Sequence, residues 1–438
     1  MHVWLVTVGE LLPIDEGARL FRAGMLAERL CARGHTVVWW TSTFHHQRKR
    51  HRFTHDTSVT VRDGYEIRLL HAPPYQSNVS LRRLVHQSVT ARKFTAASEG
   101  EKAPDIIVCS YPTLELSSAC TRYGKRHNVP VVIDIRDAWP DVWLTVAPRV
   151  LRPIARVLLE PMFGTAKRIC RDATGIVAVS ETYLRWGLRR AGRGRSSVDA
   201  VFPLGYDSRE FWEDVGIEEG ARQIRDRLGI RADGLVAVFC GTFGHSYDLG
   251  TVIEAGRALQ GTGWAGRIQI VLAGDGPRCS DLRKKAEGLR NVVFTGWLDG
   301  RALRDLMRTA WVGLAPYVEG AGQSLPNKPF EYMAAGLPII SSLPGELEEI
   351  VKRERVGVQY EAGDVSSLVD AIRFVAEHPD EREAMAARSR ALFEREFAAE
   401  IIYPRYAEFL ECTAIAWHSA GSSQRLGRTP GDQRPTKR

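Results

Sequence analysis

The chain has 438 residues, 44% of them hydrophobic and 26% charged, with a net charge of +8. That length gives two or three domains with cores of their own, and the composition excludes a disordered or collagen-like chain. No apolar run reaches the roughly 18 residues of a spanning helix, and seven cysteines without a C-x-x-C pair exclude a disulfide framework and fit a reducing cytoplasm.

Residues 3–8 are an apolar run of strand length. They read as a first strand and not a signal peptide, because no basic region precedes them and no small-residue cleavage site follows. Residues 18–33 place Leu20, Phe21, Met25, Leu26 and Leu30 on one side of a helix that Gly34 ends, and a second strand follows at 35–40. This unit opens a doubly wound α/β fold. Strands are predicted at 65–70, 105–109, 131–135 and 175–180, the last three as the near-continuous apolar runs of parallel strands covered on both faces. After a break near 201–207, a second series has strands at 235–240, 268–273, 292–294, 312–315 and 337–341, with helices at 248–259 and 325–335. Residues 364–412 are helix-rich, and from His418 the chain loses its apolar pattern and is predicted to be disordered.

Arginine clusters at 48–52, 82–83, 149–156 and 185–195 lie in the first half. They leave three readings open: nucleic acid, an anionic membrane surface, or a solvated basic surface. Residues 80–93 and 150–159 mix arginine with apolar side chains, as an interfacial helix or an ordinary surface helix does.

The most informative stretch runs from Ser324 to Pro338, SLPNKPFEYMAAGLP. Ser324 reads as a helix cap, Pro326 as a first-turn residue and Gly336 as the stop. The helix start offers free N–H groups and a positive dipole end, which suits a diphosphate. Just before it, Gly320 and Gly322 let the backbone come close to a ligand. Glu331 lies about two turns into the helix, where a carboxylate can accept both hydroxyls of a ribose. Spacing alone leaves a solvated glutamate open as well.

This string resembles the signature of family 4 retaining glycosyltransferases of the GT-B fold. It is especially similar to the form found in amino-sugar transferases of bacterial surface-polysaccharide assembly. The resemblance implies an α/β molecule of two Rossmann-like domains facing across a cleft. Residues 1–205 would bind the acceptor and 206–385 the sugar nucleotide, with helices at 386–417 returning to the first domain and a basic tail at 418–438. Of the family's two donor acids, the second matches Glu331; the first falls on Gln323, so an amide stands where relatives have a carboxylate.

Further segments resemble family landmarks. Phe239–His245 is similar to the glycine turn that meets the donor phosphates, through Gly241, Thr242 and Gly244. Relatives carry Arg and Lys just after it; here stand His245, Ser246 and Tyr247, which leaves the diphosphate to Lys328 and to N–H groups after Gly322, among Ser324 and Asn327. Residues 271–277 and 291–297 match two more, implying a nucleobase near Phe294 and Gly296, with Trp297 stacking or packing. Ile133–Pro140 resembles an R-D-x-W-P element, so Arg136 and Asp137 face the acceptor or donor phosphates, or form a structural ion pair. Gly17 would let the first domain's backbone approach the diphosphate, and Thr43–His46 would line the acceptor cleft.

The resemblance thus implies metal-independent transfer of a sugar, an N-acetylamino sugar in the subgroup, from a UDP-sugar substrate with no resident cofactor. Arg136, Asp137 and Gln323 are the candidate catalytic side chains. The acceptor would be a glycan, a lipid-linked sugar or a small aglycone. The setting would be the cytoplasm, with contact at the inner face of an anionic membrane left open beside an ordinary solvated surface, and with no nucleic acid as partner. Two other readings stand beside it: a UDP-N-acetylglucosamine 2-epimerase on the same architecture, against which the 324–338 string argues, and a basic nucleic-acid binder, for which no binding motif is present.

Overall fold

The computed structural model describes residues 1–426 apart from Ala18, 78–79, Ala147, 208–216, 232–233 and Ala265. The first half forms β1 (His2–Val6), β2 (Thr36–Ser42), a small ribbon of β3 (Phe44–His45) and β4 (Arg50–His51), β5 (Thr57–Arg62), β6 (Tyr65–Leu70), β7 (Ile106–Tyr111), β8 (Val131–Ile135), β9 (Gly175–Ala178) and β10 (Asp199–Val201). Outside the ribbon they make one sheet in the order β10-β9-β8-β7-β1-β2-β6-β5, parallel except for β5. The second half adds β11 (Leu235–Cys240), β12 (Ile268–Ala273), β13 (Val292–Gly296), β14 (Val312–Ala315), β15 (Ile339–Ser341) and β16 (Gly357–Gln359), ordered β13-β12-β11-β14-β15-β16 and all parallel.

The nearly continuous apolar runs predicted as central strands are buried on both faces: every residue of β7, β8, β11 and β12 is buried. The sequence reading misses β5, β10, the ribbon and β16. β5 is an edge strand whose half-buried Thr57, Val59 and Val61 alternate with exposed residues, and β16 has only three residues, too few for a period.

In each sheet the strand order reverses at one place. In the first, the chain leaves β1 toward β2 and later returns to β7 on its other side; in the second, β12 and β14 flank β11 in the same way. Connections at such a point diverge and leave a crevice at the carboxyl ends of the strands.

The two halves meet where Tyr206 runs beside Ala398, with the Tyr206 N–H donating to Phe397 O at 3.3 Å and the Ala399 N–H to Tyr206 O at 2.9 Å. The predicted return of the chain at 386 is corrected to Ala398. The Pro379–Leu392 helix and the turn after it put Leu392, Phe393 and Phe397 into the second domain's core. Only the Ala399–Leu426 helix packs on the first domain, through Tyr403, Tyr406, Ala407, Leu410 and Ala414, a three-and-four spacing that lies on one face. That helix also continues past His418, where the sequence reading begins a disordered tail; residues 427–438 lie outside the described residues.

Candidate functional site

Both predicted donor segments fall at the second sheet's reversal point, the glycine turn after β11 and the 319–324 loop after β14. The turn is held against the next strand's end. The Gly241 N–H donates to Ala273 O at 2.8 Å, that of Phe243 to Asp275 O at 2.9 Å, and that of Gly274 to Gly296 O at 2.9 Å. Gly274 has φ 142°, and a Cβ there would lie 1.9 Å from the Gly241 carbonyl oxygen. Backbone cannot yield as a side-chain end can, so Gly274→Ala should cost about 3 kcal/mol and lower the melting temperature by roughly 6–12 °C. Scanning fluorimetry checks this, and an unchanged melting point would mean the turn is not packed this way.

Lys328 reaches the same turn. A Cβ on Gly241 would fall 2.3 Å from its Nζ. The ammonium donates to Tyr247 Oη at 2.9 Å and lies 4.2 Å from that ring's centre. Its helix spans Asn327–Ala334 and begins later than the sequence reading has it. Ser324 does not cap it: Pro326, extended at φ −78° and ψ 165°, holds that position. Pro329 then falls in the first turn, where a missing N–H loses no bond. Asn327 is exposed at the helix start. At the other end Gly336 donates to Met333 O and Leu337 to Tyr332 O at 2.9 and 2.8 Å, closing the helix as predicted.

The first domain supplies the opposite wall. Arg19, on the loop after β1, donates from Nη1 to Glu331 Oε1 at 3.2 Å across the cleft. Its guanidinium lies 3.9 Å from the Tyr206 ring centre. Tyr183 donates to Gly322 O at 3.0 Å. Glu346 accepts from the N–H groups of Glu181 and Thr182 and from Thr182 Oγ1, all at 3.1 Å, and from Ser324 Oγ at 3.0 Å. Ser180 caps the Glu181–Ala191 helix by accepting from the Tyr183 N–H, so Glu346 meets the two donors that remain at its start, where its negative charge suits the dipole.

Behind that wall lies a chain of charges. Arg22 holds Asp134 with two bonds, 2.7 and 2.9 Å, and donates to Phe202 O and Pro203 O. Arg136 joins Asp134 at 3.2 Å and pairs with Glu10, which also accepts from the Ala23 N–H at the start of the Arg22–Ala32 helix. Asp137 differs. It is half-buried, burial pushes its carboxyl above the usual range, and it lies within electrostatic reach of Arg83 and Tyr183. Nearby, His46 Nδ1 is 2.6 Å from Tyr75 Oη; burial, then Lys49 and Arg83, lower its imidazole to about 4, so it is neutral.

A family model described as glycosyl transferase 4-like domain matches residues 21–205, and one described as glycosyl transferases group 1 matches residues 234–378. The chain belongs to the family 4 glycosyltransferases. It is 27% identical over 263 residues to the putative teichuronic acid biosynthesis glycosyltransferase TuaC of Bacillus subtilis, a match covering 60% of this chain and 56% of that one. With the 2-deoxystreptamine N-acetyl-D-glucosaminyltransferase of Niallia circulans it shares 26% over 185 residues, 38% of this chain and 46% of that one. The chain spans about half the length of these relatives. Sucrose-phosphate synthase from Thermosynechococcus elongatus superposes with a TM-score of 0.73 at 19% identity, over 95% of this chain and 99% of that one. HepE from Anabaena, in complex with UDP-glucose, does so at 0.64 and 15%, over 94% and 100%. The fold is GT-B.

Of the predicted donor residues, Gly241, Thr242 and Gly244 lie on the turn after β11, and Gly322, Ser324, Asn327, Lys328 and Glu331 on the loop and helix after β14, with Lys328 against Gly241; Gly17 lies on the loop after β1 with φ 64°. Gln323 keeps a buried Oε1 without a hydrogen-bond partner among the described residues. Phe294 is a packing residue, 6.1 Å from the Phe243 ring and beneath Arg283. Trp297, next to it, is 75% exposed and so does not pack. Of 43–46, Thr43, Phe44 and His45 are buried and only His46 stands half-exposed. Arg136 takes the ion-pair alternative. Arg19, Tyr183, Glu346 and Tyr247 escape the sequence reading. Each meets its partner from a distant segment, and none sits in a spacing that marks it, although the loss of Arg and Lys after the glycine turn asks for a cation such as Arg19.

Proposed function

We propose that this enzyme transfers a sugar from UDP to an acceptor hydroxyl with retention at the anomeric carbon. The observation that carries the reading is the convergence of Gly241, Lys328 and Glu331 at the second sheet's reversal point, facing Arg19 across the cleft. Glu331 holds the ribose diol. Lys328 and the free N–H groups of Asn327 and Lys328 hold the diphosphate, stabilising the charge that develops as it leaves. When the ribose takes Glu331, Arg19 turns to the diphosphate and supplies the cation missing after the glycine turn. The orphan Gln323 Oε1 accepts a donor-sugar hydroxyl, and Asp137 orients the acceptor hydroxyl. The departing phosphate takes the acceptor's proton, so no separate base is required.

HepE complexes with UDP and UDP-glucose support a UDP donor. Relatives named as an N-acetyl-D-glucosaminyltransferase and an α-D-kanosaminyltransferase support an amino sugar. Relatives that act on phosphatidylinositol mannosides support a lipid-linked acceptor reached from an anionic membrane on the cytoplasmic side.

Calorimetric titration of UDP, GDP and TDP tests the donor site. UDP should bind the wild type, and Glu331→Ala should weaken it about 10- to 100-fold, the loss of hydrogen bonds to a charged group. Absence of nucleotide binding, or equal affinity in the variant, would overturn the reading.

A further inference from the structure

The Lys328 side chain ends among aromatic rings. Its ammonium lies 4.2 Å from the centre of the Tyr247 ring and 5.2 Å from that of Phe239, and it donates to Tyr247 Oη at 2.9 Å. The Gly241 backbone closes another side, where a Cβ would fall 2.3 Å from Nζ. A lysine stem is long and flexible, and holding its end in one place costs rotamer entropy. Two ring faces and a phenol oxygen offset that cost inside the protein, before any ligand arrives.

This cradle holds the charge without neutralising it. Among the described residues Lys328 forms no ion pair, and Tyr247 Oη is its one hydrogen-bond partner. Glu331 lies three residues on in the same helix, a spacing at which side chains can meet. It bonds instead to Arg19 of the first domain. An ammonium has three N–H groups. Tyr247 takes one, and two remain for oxygens from outside the chain.

Tyr247 is itself fixed by both segments at the reversal point of the second sheet. Its ring centre lies 5.1 Å from that of Phe239 on β11 and 5.1 Å from that of the fully buried Tyr317, just past β14. Tyr247 and Tyr317 also form an antiparallel bridge. Beside it the Val318 N–H donates to Ser246 O at 3.2 Å and the Asp248 N–H to Pro316 O at 2.9 Å. Arg278 Nη1 donates to the Tyr247 carbonyl at 3.2 Å, and Asp248 caps the Leu249–Gln260 helix by accepting from the Thr251 N–H. The phenol is therefore the fixed member of the pair and the lysine the adjustable one.

We propose that Tyr247 is a positioning residue for the donor: its hydroxyl and ring hold the Lys328 ammonium so that the two remaining N–H groups meet the diphosphate. The inference rests on the donor site proposed above and adds the side chain that sets where its cation stands. Tyr247 acts through Lys328 and not by touching the nucleotide.

Calorimetric titration of UDP into wild type, Tyr247→Phe, Lys328→Met and the double variant tests this, with uridine measured by its displacement of UDP. Tyr247→Phe keeps the ring and removes the hydroxyl. It should weaken UDP about three- to tenfold, the worth of one hydrogen bond, and leave uridine, which has no phosphate, unchanged. With methionine at 328 the same substitution should change UDP affinity by less than about twofold, because its effect passes through the ammonium. A hydroxyl that only braces the fold would weaken UDP and uridine alike and would act equally in both backgrounds. Either result overturns the inference, as does a Tyr247→Phe variant that binds UDP as tightly as wild type or more tightly. If UDP binding depends on Lys328 and not on the Tyr247 hydroxyl, the donor site stands and Tyr247 alone loses its role. If wild type binds no UDP, both readings fall.

Discussion

Asp134→Asn is expected to destabilise the protein by about 3–5 kcal/mol, the range for removing one partner of a buried ion pair. Asp134 and Arg22 are each 2% exposed and joined by two bonds, and Arg136 shares the same carboxylate. Asparagine keeps the shape and removes the charge, leaving two guanidinium groups at one buried spot with Glu10 alone to balance them. The loss extends beyond the pair, because Arg22 also ties down the carbonyls of Phe202 and Pro203, where the chain leaves the first domain. Urea unfolding followed by tryptophan fluorescence measures the effect, and a change below about 1 kcal/mol, the level of an exposed pair, would show that the network is not buried as described.

The same experiment has a pH signature. Burial pushes the Asp134 carboxyl up, but Arg22 and then Arg136 more than offset it and hold the group below its usual range. A carboxyl lowered by folding stabilises fully above its unfolded value, about 3.9, and loses that contribution as the pH falls through the folded value. The stability difference between wild type and Asp134→Asn should therefore be flat near neutrality and shrink on acidification below about pH 4.

Asp137→Asn should leave folding and UDP affinity nearly unchanged and lower kcat by about 10²–10⁴-fold, the usual weight of a carboxylate that positions a reacting hydroxyl. One residue from the ion-pair chain, Asp137 is held by no ion pair among the described residues and faces Tyr183, whose hydroxyl touches the donor loop at Gly322. Because burial raises its carboxyl, activity that needs the ionised form should rise across a pH range above that of an ordinary aspartate, and the variant should lose that limb. Steady-state rates against pH, with a sugar nucleotide and acceptor found by screening, decide it. A variant within threefold of wild type at all pH values would remove Asp137 from the reaction.

The order of strands and helices was legible because burial imposes a period on the sequence, and β7, β8, β11 and β12 show it plainly. The segments at the second sheet's reversal point were legible for a different reason. Gly241, Lys328 and Glu331 fall within short motifs whose local geometry follows from glycine and a helix start. The partners of those residues were not. Arg19 and Glu331 are separated by most of the chain, and nothing in the periodicity of either segment reports that they meet. Ser324 was misread for a related reason: serine before a helix looks like a cap, but two prolines shift the start and free its hydroxyl for Glu346. The split between Arg136 and Asp137 was likewise hidden, since adjacent residues at a strand end point to opposite sides and only the placement of Glu10 and Tyr183 tells them apart.

Glu346 has a consequence for the timing of turnover. Its two oxygens hold the start of a first-domain helix and the hydroxyl of Ser324 at once. When the domains separate, the bonds to Glu181 and Thr182 and the Tyr183 bond to Gly322 O are lost, whereas the Ser324 bond lies within the second domain and survives. The 319–324 loop thus loses its Tyr183 tie as the halves part, and under the proposed function loading of the nucleotide and closing of the jaws would be one equilibrium viewed from two sides. On that reading a spent nucleotide would leave no faster than the jaws part, and the affinity for UDP would gauge how far the empty protein already stands shut.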